Sequence, residues 1–146
     1  MKSKLIQDGN EKTFVIVFDP GEEVMTGLTR FARTEHVTAA HFNALGAFER
    51  VTLGFFDVAK RDYKRIEIGE QVEVLSLVGN VARDNRGEPK IHAHVVVGKS
   101  DGTAHGGHLL EASVRPTLEV VAVETSGHLR RSMRPEFGVA LLDLAQ

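Results

Sequence analysis

The stretch IHAHVVVGKSDGTAHGGHLLEA, residues 91–112, holds four of the chain's seven histidines: His92, His94, His105 and His108. Its first half alternates. In a strand, residues two apart point to the same face, so His92, His94 and Val96 share one face while Ile91, Ala93, Val95 and Val97 form the other. The second set is apolar and is expected to face the core. Asp101-Gly102 is a turn signal, after which the chain returns as a partner strand. The segment therefore reads as a β-hairpin with two imidazoles side by side on one face, roughly 7 Å apart at Cα.

Two histidines at that spacing can converge on one ion, because Zn–N bonds are only about 2.0–2.1 Å long. A catalytic zinc site usually takes a third protein ligand, and the hairpin register selects it. With a three-residue loop, Ser100-Asp101-Gly102 and Gly102 left-handed, Lys99 pairs with Thr103 and His108 falls opposite His94. With a two-residue Asp101-Gly102 turn, Ser100 pairs with Thr103 and His105 joins the histidine face instead. A bulge at Gly106-Gly107 would shift the count again. His108 is the preferred third ligand, and His105 stays the alternative. Against both stands the plain possibility that these histidines are a solvated sheet face.

Working outward, residues 13–18 (TFVIVF) are β-branched and aromatic and read as a strand. Asp19-Pro20-Gly21-Glu22 follows as a helix start, with Asp19 as cap, Pro20 in the first helical position and Glu22 at capping-box spacing. Val24, Leu28, Phe31 and Ala32 then recur at helical spacing, predicting an amphipathic helix to about Glu35 whose stripe packs on the core. Period two returns over 39–48, 51–58, 63–68, 72–81, 91–97 and 118–123. Short turns without crossover helices favour antiparallel pairing. Residues 137–142 suit a last strand or a short helix. The expected fold is α+β: a mainly antiparallel sheet with one clear amphipathic helix near the N-terminus, in a single domain spanning 1–146.

Bulk composition narrows the function. The chain has 146 residues, 42% hydrophobic and 26% charged, which is ordinary for a globular domain. The absence of cysteine excludes disulfides, thiolate metal sites and cysteine nucleophiles. A net charge of −2 argues against a broad nucleic-acid-binding surface. No apolar run approaches the roughly 20 residues of a membrane span. The polar start, MKSKLIQDGNEK, is unlike a secretory signal, so a cytoplasmic location is expected. Phosphate-binding glycine loops and a G-x-S-x-G nucleophile elbow are missing.

Three stretches together resemble a known family: Gly69-Glu-Gln-Val-Glu-Val-Leu-Ser-Leu-Val-Gly79, then His92-Ala-His94, then Gly106-Gly-His108-Leu. With Asn43-Ala-Leu-Gly-Ala-Phe48 after the first helix, they are similar to the PPC (plants-and-prokaryotes-conserved) domain over about residues 10–125. The resemblance implies a homotrimeric α+β domain, and in prokaryotic members a His-x-His plus downstream His constellation that holds zinc. Residue by residue this falls on His92, His94 and His108. The fold is shared with acetolactate decarboxylase, a three-histidine zinc enzyme, which suggests a small carbonyl or carboxylate ligand by analogy only. Plant members carry an AT-hook, but Arg86-Gly87-Glu88-Pro89 puts an acid where the second arginine belongs and reads as a turn.

Three functions compete on these grounds: a metal-site protein, with or without enzymatic activity; a trimeric assembly module; and a DNA-associated regulator. Basic clusters at Lys60-Arg61, Lys64-Arg65 and Arg130-Arg131 with Arg134 read as solvated surface. His36 is expected to act as a cation at the helix C-terminus, and His41 and His128 as structural. Glu70, Glu73 and Glu111 lie near the histidine strands in sequence. The favoured register sets Glu111 opposite Ile91, facing away from the histidines, so no general base is assigned.

Overall fold

The computed structural model describes residues 1–145. Among them are nine strands and one helix: β1 Lys2–Gln7, β2 Thr13–Phe18, α1 Val24–Thr34, β3 Ala40–Asp57, β4 Asp62–Ile68, β5 Val72–Arg83, β6 Pro89–Gly98, β7 Ala104–Glu124, β8 Arg130–Arg134 and β9 Val139–Asp143. The expected α+β class is the observed one. Pairing is antiparallel throughout except for one parallel bridge, Arg83 with Arg130. The pairings β3–β5, β5–β6, β6–β7 and β7–β3 join into a closed ring, with β1, β2, β4 and the β8–β9 hairpin as extensions. The helix α1 is too short to cross a membrane, and no other helix is present among the described residues.

Several boundaries differ from expectation. Residues 39–48 and 51–58 form one 18-residue strand, β3, and 118–123 is the end of the 21-residue β7. Bulges absorb the bends these lengths require, including one at Leu45 beside Gly46, whose φ is 149°. A side chain at Gly46 would start 2.3 Å from the Thr117 carbonyl oxygen. The tail forms a β-hairpin rather than a helix, and β1 is an additional edge strand with every residue exposed.

The helix starts later than its capping signal suggests. Asp19-Pro20-Gly21 makes a turn with Gly21 at φ 83°, and Glu22 accepts from the Asp19 N–H at 2.9 Å without starting a helix. The Met1 amino group pairs with both Asp19 and Glu22. Glu23 is the actual cap, accepting from Met25 N–H at 3.0 Å and Thr26 N–H at 2.7 Å. Past the other end, His36 adopts φ 57°, a left-handed position commonly held by glycine.

Val24, Leu28, Phe31 and Ala32 are buried, as the helical stripe requires, against the inner faces of the sheet. Ala93, Val95 and Val97 of β6 are 0–2% exposed, so that strand's apolar face is the core face. The opposite face of the sheet stays apolar in part: Leu45, Leu75, Val78, Val96 and Val121 are each 40–63% exposed. Adjacent pairings, such as Asn43 with both Val121 and Val78, and Ser76 with Val96, place these side chains on neighbouring strands.

Candidate metal centre

The hairpin that positions the histidines has the three-residue loop. Lys99 N–H donates to the Thr103 carbonyl at 2.9 Å, and Gly102 N–H donates to the Lys99 carbonyl at 3.0 Å, with Gly102 at φ 82°. Asp101 locks the turn by accepting from Thr103 N–H and Oγ1 at 2.9 and 2.6 Å. No bulge interrupts the ladder, so Gly98 pairs with Ala104 and His94 pairs with His108. His105 instead pairs with Val97, and its side chain lies outside the cluster.

His92, His94 and His108 meet on one face. One ring nitrogen from each lies within 4.8 Å of the others, and the ring centroids are 5.0–5.5 Å apart. A tetrahedral zinc ion with Zn–N bonds of about 2.0–2.1 Å holds its nitrogens about 3.3–3.4 Å apart, so the rings would draw closer on binding one. The donor set is chemically apt, being three imidazoles with no competing acid. His108 Nδ1 is buried and has no hydrogen-bond partner, an orphaned lone pair or N–H of a kind folded proteins rarely leave.

Electrostatics favour the neutral ring, the form that binds metal, at His92 and His108. Burial is the main cause for both inner rings. It pushes the His108 pKa down to about 4, helped by His92, His94 and the Arg131 guanidinium. His92 is lowered by burial, then by Arg131 and His94.

Four further residues shape the site, and none has a local sequence signal. Tyr63 of β4 stacks on His108, with centroids 4.8 Å apart and planes 26° from parallel. Gly54 makes room for it, since Gly54 pairs with His108 and a Cβ there would lie 2.7 Å from the Tyr63 ring. Arg131 of β8 is only 7% exposed and reaches His92 Nδ1 at 3.2 Å. Asn80, which pairs with His92 across β5–β6, accepts from Arg131 at 2.6 Å. The pairing of β3 with β4 and β7 brings Tyr63 and Gly54 to the site, and the return of the C-terminal hairpin brings Arg131.

The acids stay outside. Glu111 does not pair with Ile91 as the extrapolated register had it, because the β6–β7 ladder stops at His94–His108 and β7 continues along β3. An extra residue, Leu110, then sets Glu111 opposite Thr52, exposed and 3.9 Å from Arg65. Glu70 pairs with Lys99 at 2.6 Å, and Glu73 is exposed opposite Gly98. His41 and His128 are exposed and outside the cluster. Residues 86–89 form the expected turn, with Asp84 accepting from Arg86 and Glu88 N–H and Gly87 at φ 83°.

The family model of the Plants and Prokaryotes Conserved (PCC) domain, called PPC above, matches residues 6–126. The chain belongs to this family. A PPC protein from Pyrococcus horikoshii is 31% identical, covering 99% of this chain and 96% of its own, with a TM-score of 0.86. A protein of Archaeoglobus fulgidus described as metal-containing is also 31% identical, covering 97% and 96%, with a TM-score of 0.83. A DNA-binding candidate from Bacteroides thetaiotaomicron is 28% identical, covers 99% of each chain and has a TM-score of 0.88. The α-acetolactate decarboxylase of Bacillus subtilis, 13% identical, shares the fold alone, with a TM-score of 0.58 over 90% of this chain and 60% of that one. Among curated proteins, the bifunctional protein GlmU of a Synechococcus strain is 27% identical over 137 residues. These are 93% of this chain but only 21% of that relative's length.

Proposed function

We propose that this PPC-domain protein is a metal-binding protein whose site is His92, His94 and His108, with zinc as the resident ion. The observation that carries the reading is the convergence of three ring nitrogens within 4.8 Å at a place where no carboxylate competes. The metal-containing relative from Archaeoglobus fulgidus supports it. Three protein ligands leave a fourth position open for a small carbonyl or carboxylate compound. Bound there, zinc supplies Lewis acidity toward an oxygen of such a ligand. The chain's own groups do the rest: Tyr63 holds the His108 ring by stacking, and Arg131 places a cation beside His92.

A cobalt(II) titration tests the site. Wild-type protein should develop the intense visible bands of a four-coordinate ion at one equivalent, and His94→Ala should not. A spectrum unchanged from aqueous cobalt in the wild type would defeat the proposal.

A second reading, compatible with the first, is a homotrimer. The exposed apolar face of Leu45, Leu75, Val78, Val96 and Val121 supports it, since a contiguous patch of this kind on a sheet marks an interaction surface. His94 and Val96 share that face, so a neighbouring copy would close over the exposed side of the site.

Direct DNA binding is disfavoured. Lys60, Arg65 and Arg134 face Asp57, Glu111 and Asp143 at 3.7–3.9 Å, and Arg131 is buried. These four residues therefore offer phosphates little unpaired charge.

A further inference from the structure

Arg131 has no acid. Among the described residues no carboxylate pairs with its guanidinium, which is buried and bonds only to Asn80 Oδ1, His92 Nδ1 and, at 3.4 Å, the Ala140 carbonyl. Its Nε is buried without a partner. A buried unpaired arginine is costly unless something compensates its charge, and arginine remains protonated in proteins.

Loading the histidine site makes this imbalance worse. His92 Nδ1 accepts from Arg131 only while that nitrogen keeps a free lone pair. If His92 binds the ion through Nδ1, the lone pair is gone. If it binds through Nε2, the proton of the neutral ring must sit on Nδ1, which then faces the guanidinium donor to donor. Either way the Arg131–His92 bond ends. Metal-bound histidines ordinarily give their second N–H to a carboxylate or carbonyl, and here the neighbour is a cation instead.

We infer that Arg131 is the anion-binding residue of this site and that the pocket it lines takes a short carboxylic acid, together with the metal. This rests on the metal-site reading above. The pocket, about 350 Å³, lies between the histidines and the C-terminal hairpin and is lined by Tyr63, His92, His108, Met133, Val139 and Leu141 as well as Arg131. A planar guanidinium fork matches one carboxylate in two-point fashion, and the apolar walls suit a short carbon tail. Asp84 and Lys90 line the pocket as well, and the Asp84 carboxylate is engaged by the Arg86 and Glu88 N–H groups. Arg131 also lies beyond the residues matched by the family model, which end at 126, so the tail supplies the cation and the Met133, Val139 and Leu141 wall, while the matched segment supplies Tyr63, His92 and His108.

The test is calorimetric titration of pyruvate into zinc-loaded wild type, Arg131→Met and Arg131→Lys, with zinc content measured for each. Saturable binding should weaken about ten- to a hundredfold in R131M and less in R131K, with zinc content unchanged. Equal pyruvate affinity in wild type and R131M, both zinc-loaded, would overturn the inference and leave the metal site standing. So would no pyruvate binding by the zinc-loaded wild type, loss of zinc from both variants, or phosphate binding more tightly than pyruvate. If the wild type holds no zinc, the metal reading fails on its own. The metal-free titration then decides the subsite: Arg131-dependent pyruvate binding supports it, and none overturns it.

Discussion

Tyr63 lies flat against His108, 4.8 Å between ring centroids, in the space that Gly54 leaves open on the strand between them. This pairing locks the ring that β7 contributes to the histidine cluster. An aromatic pair adds about 0.5–1.5 kcal/mol beyond area burial, so Tyr63→Leu should lower unfolding free energy by about that much in urea. Gly54→Val, whose Cβ claims the ring's position, should act through the same contact. The two changes combined should therefore cost clearly less than the sum of the single ones.

Acid should destabilise the metal-free protein through the cluster. His92 and His108 are both lowered from 6.5, His108 to about 4, with burial the first cause in each. The unfolded chain then binds more protons than the folded one between about pH 6.5 and about pH 4. Stability from these rings is complete above that window and lost as pH falls through it. Thermal unfolding followed across the window should show a falling Tm, with a shallower slope in His108→Gln.

Glu23 caps α1 through two backbone N–H groups and also receives the Ala112 N–H at 3.4 Å. Glu23→Ala should cost about 0.5–2 kcal/mol, whereas Asp19→Ala should leave the helix intact. Chemical denaturation of both variants separates the true cap from the one suggested by spacing.

That contrast shows what the sequence could and could not convey. Alternation in residues 91–97 foretold the buried face of β6, while the turn residues allowed two registers, of which the structure has the preferred three-residue loop that brings His108 to His94. These are local effects of pleat and turn. Asp19 looked like a cap because local spacing cannot see that Gly21 turns the chain and that the Met1 amino group occupies Asp19 and Glu22 from a distance. Tyr63, Asn80 and Arg131 escaped for the same reason: each reaches the site from another strand, and only the pairing of β3 with β4 and the folding back of the β8–β9 hairpin bring them there. Glu111 was misplaced by assuming one ladder where β7 changes partners.

If the exposed apolar face is covered by other copies of the chain, sedimentation equilibrium should give three times the 16.0 kDa chain mass. Val78→Asp, at the centre of that face, should shift the distribution toward monomer without loss of helix or sheet signal. A wild-type monomer at all concentrations would rule out the assembly.

The central claim is that His92, His94 and His108 hold a metal ion. The most direct measurement is the metal content of untagged protein beside a variant with all three changed to alanine. Near-stoichiometric zinc in the wild type and none in the variant is the predicted result. No metal in either, even after incubation with zinc, would contradict the account.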